Sequence, residues 1–383
     1  MAAHDSLRRA LDLFEQVGDR RGMAWALQNL SWSAYIAGRI DEAEQRVLVA
    51  MATFDELGDP GGLTWSRGLL AWVRFHQGRN DEALELATAV GEDARQRGER
   101  WGEAMMRVLS ASISLWSGRT EDGVESARAA VALFEEIDDQ IGELQARCGL
   151  GRALLMSGQV DAGIAELQDA LADGHGTHGD EQGWMARVSM LMSAVQLGDV
   201  ELGAAAIEDS QGFAEADSVG FGDRVGALAL HHLQRGAVAD AVAVLADGIE
   251  PRGYVQCARA LVLAVQGDLD GASCAADELA VHPHTYLDRT YAEIGRAIAL
   301  AGADRTGEAR TVLATAIAEV DATGDRVAQA IVRLVDATVA ERAGRIDAST
   351  ARHVAEARLR DLGIRAAGWR HLVEDALGLV PAS

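Results

Sequence analysis

"GRIDEA" occupies Gly38 to Ala43 and "GRNDEA" occupies Gly78 to Ala83, forty residues further on. The series continues at the same step with "GRTEDG" at Gly118, "GQVDAG" at Gly158 and "GDVELG" at Gly198. Gly22, Gly62, Gly102 and Gly142 form a second comb in phase with the first, and Phe14, Phe54 and Phe134 a third. Beyond residue 203 the spacing loosens through "GAVADA" at Gly236, "GDLDGA" at Gly267, "GADRTGEA" from Gly302 and "GRIDAS" at Gly344, nine copies in all. Self-similarity at a fixed period of this length is the mark of a repeat architecture.

Between the combs each unit holds two amphipathic stretches, such as Met23 to Ala37 and Asp41 to Leu57, each long enough for about four helical turns. The unit is therefore predicted to be a helical hairpin. Gly38 and Gly78 suit the left-handed end of a first helix, and Asp41 and Asp81 are placed to cap the second. Ala43 and Ala83 are small where the two helices cross. A hairpin that cannot bury its apolar face alone has to stack on its neighbours.

Composition agrees. The 383 residues include 49% apolar side chains and only 4 Pro, with Ala, Leu, Glu and Arg dominant, which favours helices. There are 35 basic residues against 59 acidic ones, a formal charge of -24 that disfavours direct contact with nucleic acid or anionic membranes. Every basic side chain apart from histidine is arginine, so Schiff-base, phosphate-loop and general-base lysines are excluded within the chain. Cys148, Cys257 and Cys274 are widely separated and fit a reducing compartment. Neither a leader nor an apolar run of membrane-spanning length stands out, and a cytoplasmic location is expected.

The pattern "LFEQVGDRRGMAWALQNLSWSAYIAGRIDEAEQ" resembles the tetratricopeptide repeat, in the forty-residue form found in the sensor arms of bacterial STAND-type signal-transduction ATPases and transcriptional regulators. The resemblance implies an all-α, right-handed superhelical solenoid of about nine hairpins, forming a single repeat domain over 1–383. Within it, 5–203 reads as regular repeats, 204–346 as less regular ones and 347–383 as a capping hairpin made of Ala348 to Leu362 and Ile364 to Leu379. The chain departs from full-length regulators of that kind in having no GxxxxGK[ST] loop and no basic helix-turn-helix segment, and its first helix, Asp5 to Val17, reads as half of a hairpin.

The resemblance further implies that the first helix of each hairpin lines a concave groove. On that face stand Trp25 and Trp32, flanked by Tyr35; then Trp65, Trp72 and His76, flanked by Phe75; then Met105 and Trp116; then Arg152 and Met156; then Met185. Indole rings along a groove suit a hydrophobic or aromatic small molecule, and the same rings also suit packing between repeats. The expected function is non-enzymatic binding of such a molecule, for sensing or sequestration, with a scaffold for a partner peptide or helix as the alternative. The exposed first helix offers an end-to-end homodimer contact.

Arg67, Arg107, Arg147 and Arg187 form an arginine ladder; Glu103 and Glu143 precede two of them by four residues, so intrahelical pairing is the first reading and an anion site the alternative. Arg289 and Arg296 are spaced to meet an acidic ligand group. His175 and His178 have HxxH spacing in a glycine-rich stretch with no third ligand, and His231, His232, His282 and His284 have no support as ligands either. No catalytic motif, metal set or cofactor fingerprint is expected.

Overall fold

In a computed structural model the protein is described over residues 2–174, 180–208, 221–245, 253–281 and 285–379. The described residues form twenty α-helices and no strands. His175, His178, His282 and His284 lie outside them. After α1 (Ala2–Val17) the helices alternate as first and second members of hairpins: α2 (Arg20–Ile36) with α3 (Ile40–Glu56), α4 (Pro60–His76) with α5 (Asn80–Arg97), and α6 (Arg100–Trp116) followed by α7 (Thr120–Glu136). The later helices used below are α8 (Gln140–Met156), α9 (Val160–Gly174), α10 (Asp180–Leu197), α14 (Gly253–Val265), α16 (Tyr286–Gly302), α17 (Thr306–Asp321), α18 (Arg326–Arg342), α19 (Ala348–Asp361) and α20 (Ala367–Ala376). The fold is a tetratricopeptide-like helical solenoid.

Each part of the opening motif has a physical task. Gly38 and Gly78 take φ of 72° and 74°, ending α2 and α4 in a conformation that a side chain would strain. Ala43 and Ala83 are fully buried, and Ser31 donates to the Ala43 carbonyl at 2.6 Å across the hairpin. The expected capping role of Asp41 and Asp81 is not what the structure shows. They lie inside the first turn, where their charge meets the helix dipole, and the N-cap positions Arg39 and Arg79 make no side-chain cap bond. Those arginines clamp Glu42 and Glu82 instead, each at 2.6 Å.

The aspartate caps belong to the turns between hairpins. Asp19, Asp59 and Asp139 accept from the amides of Gly22, Gly62 and Gly142 at 2.9–3.0 Å. Those glycines are small for a second reason. A Cβ at Gly62 would come within 2.3 Å of the Phe54 ring, and Gly22 and Gly142 stand in the same relation to Phe14 and Phe134. Gly62→Ala is accordingly expected to lower the unfolding free energy by at least about 1 kcal/mol through overpacking. Gly149→Ala, in α8 with open space around the new methyl group, should raise it by roughly 0.5–1 kcal/mol. Urea unfolding of the two variants beside the parent gives both signs in one experiment.

The described residues divide into two compact units. The first draws on Met1–Ile113 and Ala129–Glu143; the second draws on Ser114–Arg128, Leu144–Phe213 and Gly222–Ser383. Within the second unit, segments far apart in sequence are joined. Gly324 donates its amide to the Gly118 carbonyl at 2.7 Å, Gly368 donates to that of Gly198 at 2.8 Å, and Asp325 accepts from Gln196 and from the Tyr286 hydroxyl, both at 2.7 Å. In the segment expected as a terminal hairpin, 348–362 with 364–379, α19 packs on α18 and is joined to α20 by the ion pairs Arg352–Glu374 and Arg370–Glu356, and α20 packs inward against α14, α16 and α18. The reason is Trp369, an aromatic residue on α20 whose burial requires that helix to face inward.

Candidate functional site

In the first unit, α2, α4 and α6 lie side by side and, with Val90 and Ala94 of α5, line a half-open cavity of about 410 Å³. Its walls carry Trp25 and Trp32 from α2, Trp65 and Trp72 from α4, and Trp101 from α6. Leu69, Met105 and Met106 complete the apolar surface, and Gln28, Asn29, Thr64 and Glu99 supply the polar groups. Its size and composition fall in the range of small-molecule sites.

The cavity exists because the phenylalanine comb is broken. Phe14, Phe54 and Phe134 each cover the glycine eight residues later; at the place where a fourth ring would stand the chain has Ala94, and its methyl group is the nearest neighbour of the Gly102 position, at 3.4 Å. Both Ala94 and Gly102 line the cavity. The volume that a ring occupies in the neighbouring repeats is left open, and indoles from three helices border it.

These indoles are not equivalent. Trp25 meets the Phe54 ring edge-on at 5.0 Å and Trp72 is buried, so both pack as well as line. Trp32 is 37% exposed, Trp65 46% and Trp101 38%. Trp65 and Trp101 stack at 5.1 Å with an interplanar angle of 24°, and Trp32 stacks on Tyr35 at 5.5 Å. Exposed tryptophans held in fixed pairs keep large apolar faces available without loss of rotamer freedom on binding.

Polar groups around the walls are mostly engaged. Asn29 donates to the Trp25 carbonyl at 2.8 Å, Thr64 donates to Asp93 at 2.9 Å, and the Trp101 indole N–H donates to Asp139 at 2.9 Å. Gln28 differs: it is 7% exposed and lines the cavity. A buried amide in that position offers both a donor and an acceptor to whatever fills the space. Arg97 pairs with Asp93 and approaches Glu99 at 3.6 Å.

Five of the residues expected from sequence therefore meet at one cavity: Trp25, Trp32, Trp65, Trp72 and Met105. Tyr35, Phe75 and His76 form an aromatic layer next to Trp72, with Tyr35 donating to or accepting from His76 at 3.3 Å and the Tyr35 and Trp72 rings 6.4 Å apart. Burial drives the Tyr35 hydroxyl well above the ordinary tyrosine range, so it stays protonated. Trp116, Arg152, Met156 and Met185 belong to the second unit. Met156 is fully buried there and is a packing residue, because its helix face meets the core. Arg152 is half-buried and its charge favours ionisation of Asp223, against burial that pushes the Asp223 carboxyl up.

Trp101, Ala94 and Glu99 were outside the sequence expectation. Trp101 stands four residues before Met105 on the same helix, a spacing that puts the two on one face, and Ala94 is the missing tooth of the phenylalanine comb.

Several of the other charged groups singled out in the sequence have structural partners. Arg147 reaches across its hairpin to Glu166 at 2.7 Å, Glu103 pairs with Arg100 rather than Arg107, and Arg289 and Arg296 meet Glu319 and Asp277. Burial pushes His231 down to about 4, which keeps the imidazole neutral, and pushes the Cys148 thiol up to about 12. Among the described residues no set of three His, Cys, Asp or Glu side chains is placed to hold a metal ion, and no helix is long and apolar enough to cross a membrane.

The fold and the cavity define the protein as a tetratricopeptide-like helical solenoid with an aromatic-lined cavity in its first unit. Among solved structures it is similar to the apo form of the quorum sensor NprR from B. thuringiensis, with a TM-score of 0.55 and 10% sequence identity over 82% of this chain and 97% of that one. No family model matches the sequence, and no curated protein does.

Proposed function

We propose that the protein is a non-enzymatic binding protein whose first unit takes a compact, largely apolar or aromatic small molecule into the tryptophan-lined cavity. The observation that carries this reading is the substitution of Ala94 for the repeat's phenylalanine, which opens a volume bordered by five indoles instead of closing it. A stability-driven repeat would fill that space, since an unfilled apolar cavity costs packing energy. The similarity to a quorum sensor supports a regulatory role, in which occupancy of the cavity is read out by a partner. Gln28 and Asn29 on the wall are also groups that meet peptide backbone, so a peptide held in the same place is the second reading.

Ala94→Phe tests the proposal. The ring has a precedent in Phe54 and Phe134, so the variant is expected to fold with stability at least equal to the parent and to lose ligand binding by a factor of at least about ten. Native mass spectrometry of the gently purified parent should show a retained small molecule that the variant lacks. Equal retention by parent and variant would place the binding elsewhere, and a peptide in the parent spectrum would favour the second reading.

A further inference from the structure

We infer that the ligand of this cavity carries a positive charge: a small organic cation with an apolar body, such as a quaternary ammonium compound. The inference rests on the reading of the cavity as a ligand site and adds the sign of the ligand's charge.

The walls present π-faces and carboxylate, and no cation. Five indoles border the space, and indole is the ring whose face attracts a cation most strongly within about 6 Å of its centroid. The Glu99 side chain is part of the lining, while no arginine or histidine is among the lining residues. Two further carboxylates stand directly behind wall groups: Asp93 accepts from the Thr64 hydroxyl, and Asp139 accepts from the Trp101 indole N–H. A carboxylate on that N–H pushes electron density into the ring, which strengthens its negative face. Arg97 answers Asp93 and Glu99 together, two carboxylates to one guanidinium.

Alternative ligand charges fit poorly. An anion would enter a space whose charged wall group is the Glu99 carboxylate and whose lining holds no arginine or histidine to meet it. A neutral apolar ligand would be served by Leu69, Val90, Met105 and Met106 alone and leaves the carboxylates without a role in binding. A cation with an aromatic body uses both, its charge over the exposed Trp65 and Trp101 pair near Glu99 and its body against the methionines.

Isothermal titration of the full chain with three compounds sharing one aromatic body separates the outcomes. The probes are (2-naphthylmethyl)trimethylammonium, 2-naphthalenemethanol and 2-naphthalenesulfonate. The expected order is ammonium tighter than alcohol by about tenfold, with the sulfonate weakest. Glu99→Gln should weaken the ammonium by roughly three- to tenfold and leave the alcohol unchanged, and Ala94→Phe should abolish both. If the alcohol or the sulfonate binds as tightly as the ammonium while Ala94→Phe still abolishes binding, the charge inference falls and the cavity reading stands. If none of the three binds, or Ala94→Phe binds them all as the parent does, the cavity reading fails and takes the charge inference with it.

Discussion

Trp369→Ala is expected to lower the unfolding free energy by about 3–5 kcal/mol, the range for removing a fully buried large aromatic side chain. Trp369 is 0% exposed, with its ring 5.2 Å from that of Tyr291. Its edge lies against Gly198, where a Cβ would come within 2.8 Å of the indole. Its N–H donates to the Gln196 carbonyl at 3.1 Å. Gln196 is in the last turn of α10, so that carbonyl is one of those a helix leaves without an internal partner. Alanine therefore removes the packing of a whole indole and leaves a buried carbonyl unpaired. Trp369→Phe separates the two: it keeps most of the volume and loses the hydrogen bond, and should cost about 1–3 kcal/mol. Urea unfolding followed by far-UV circular dichroism gives both numbers, and a loss below about 1 kcal/mol for alanine would show that α20 contributes little to the second unit.

That contact also marks the boundary of what the sequence reveals. The hairpin, its left-handed glycine and the small residue at the crossing follow from rules acting over a few residues, and a forty-residue period repeats them until they are unmistakable. Asp41 was misread as a cap because Asp and a following helix look the same whether the Asp lies just outside or just inside the first turn; only the backbone distinguishes Arg39 as the cap position. The joining of Gly198 to Trp369 has no period and no local cue. It depends on how the repeats of the second unit pack together, which one unit's residues do not determine.

The cavity was half legible for a similar reason. Trp25, Trp32, Trp65 and Trp72 repeat at the forty-residue step and identify the face. Trp101 stands 36 residues after Trp65 and fell outside the period, yet the two rings stack because adjacent first helices lie alongside each other. What opens the space is an absence, Ala94, and an absent side chain is visible only when the surrounding rings are seen to leave its volume empty.

Asp288→Asn is expected to stabilise the protein at alkaline pH and to remove part of its pH dependence. Asp288 closes a reciprocal capping box at the start of α16: it accepts from the Thr285 amide and its own amide donates to the Thr285 hydroxyl, both at 3.0 Å. The side chain is buried, and its second carboxyl oxygen has no hydrogen-bond partner among the described residues. Burial pushes this carboxyl up to about 7, the charge of Asp223 pushes the same way, and the Thr285 donors oppose them. In the unfolded chain the group titrates near 3.9. Between about pH 4 and pH 7 the folded state thus holds a proton that the unfolded state has released, and stability falls as pH rises through that window. From pH 5 to pH 8 the loss from this one group is about 3 kcal/mol.

Asparagine keeps the acceptor for the Thr285 amide and carries no charge at either pH. Carboxylates held low by arginine, such as Glu308 and Glu356, contribute the opposite slope, but they are common to parent and variant and cancel in the difference. Asp325, pushed up to about 6 by burial against the donors from Tyr286 and Ala328, cancels in the same way. Unfolding free energies of the two proteins should therefore agree at pH 5 and separate by about 3 kcal/mol in favour of the variant at pH 8. Parallel curves across that range would mean that Asp288 is already ionised in the folded protein at pH 5, held so by the α16 dipole and the Thr285 amide.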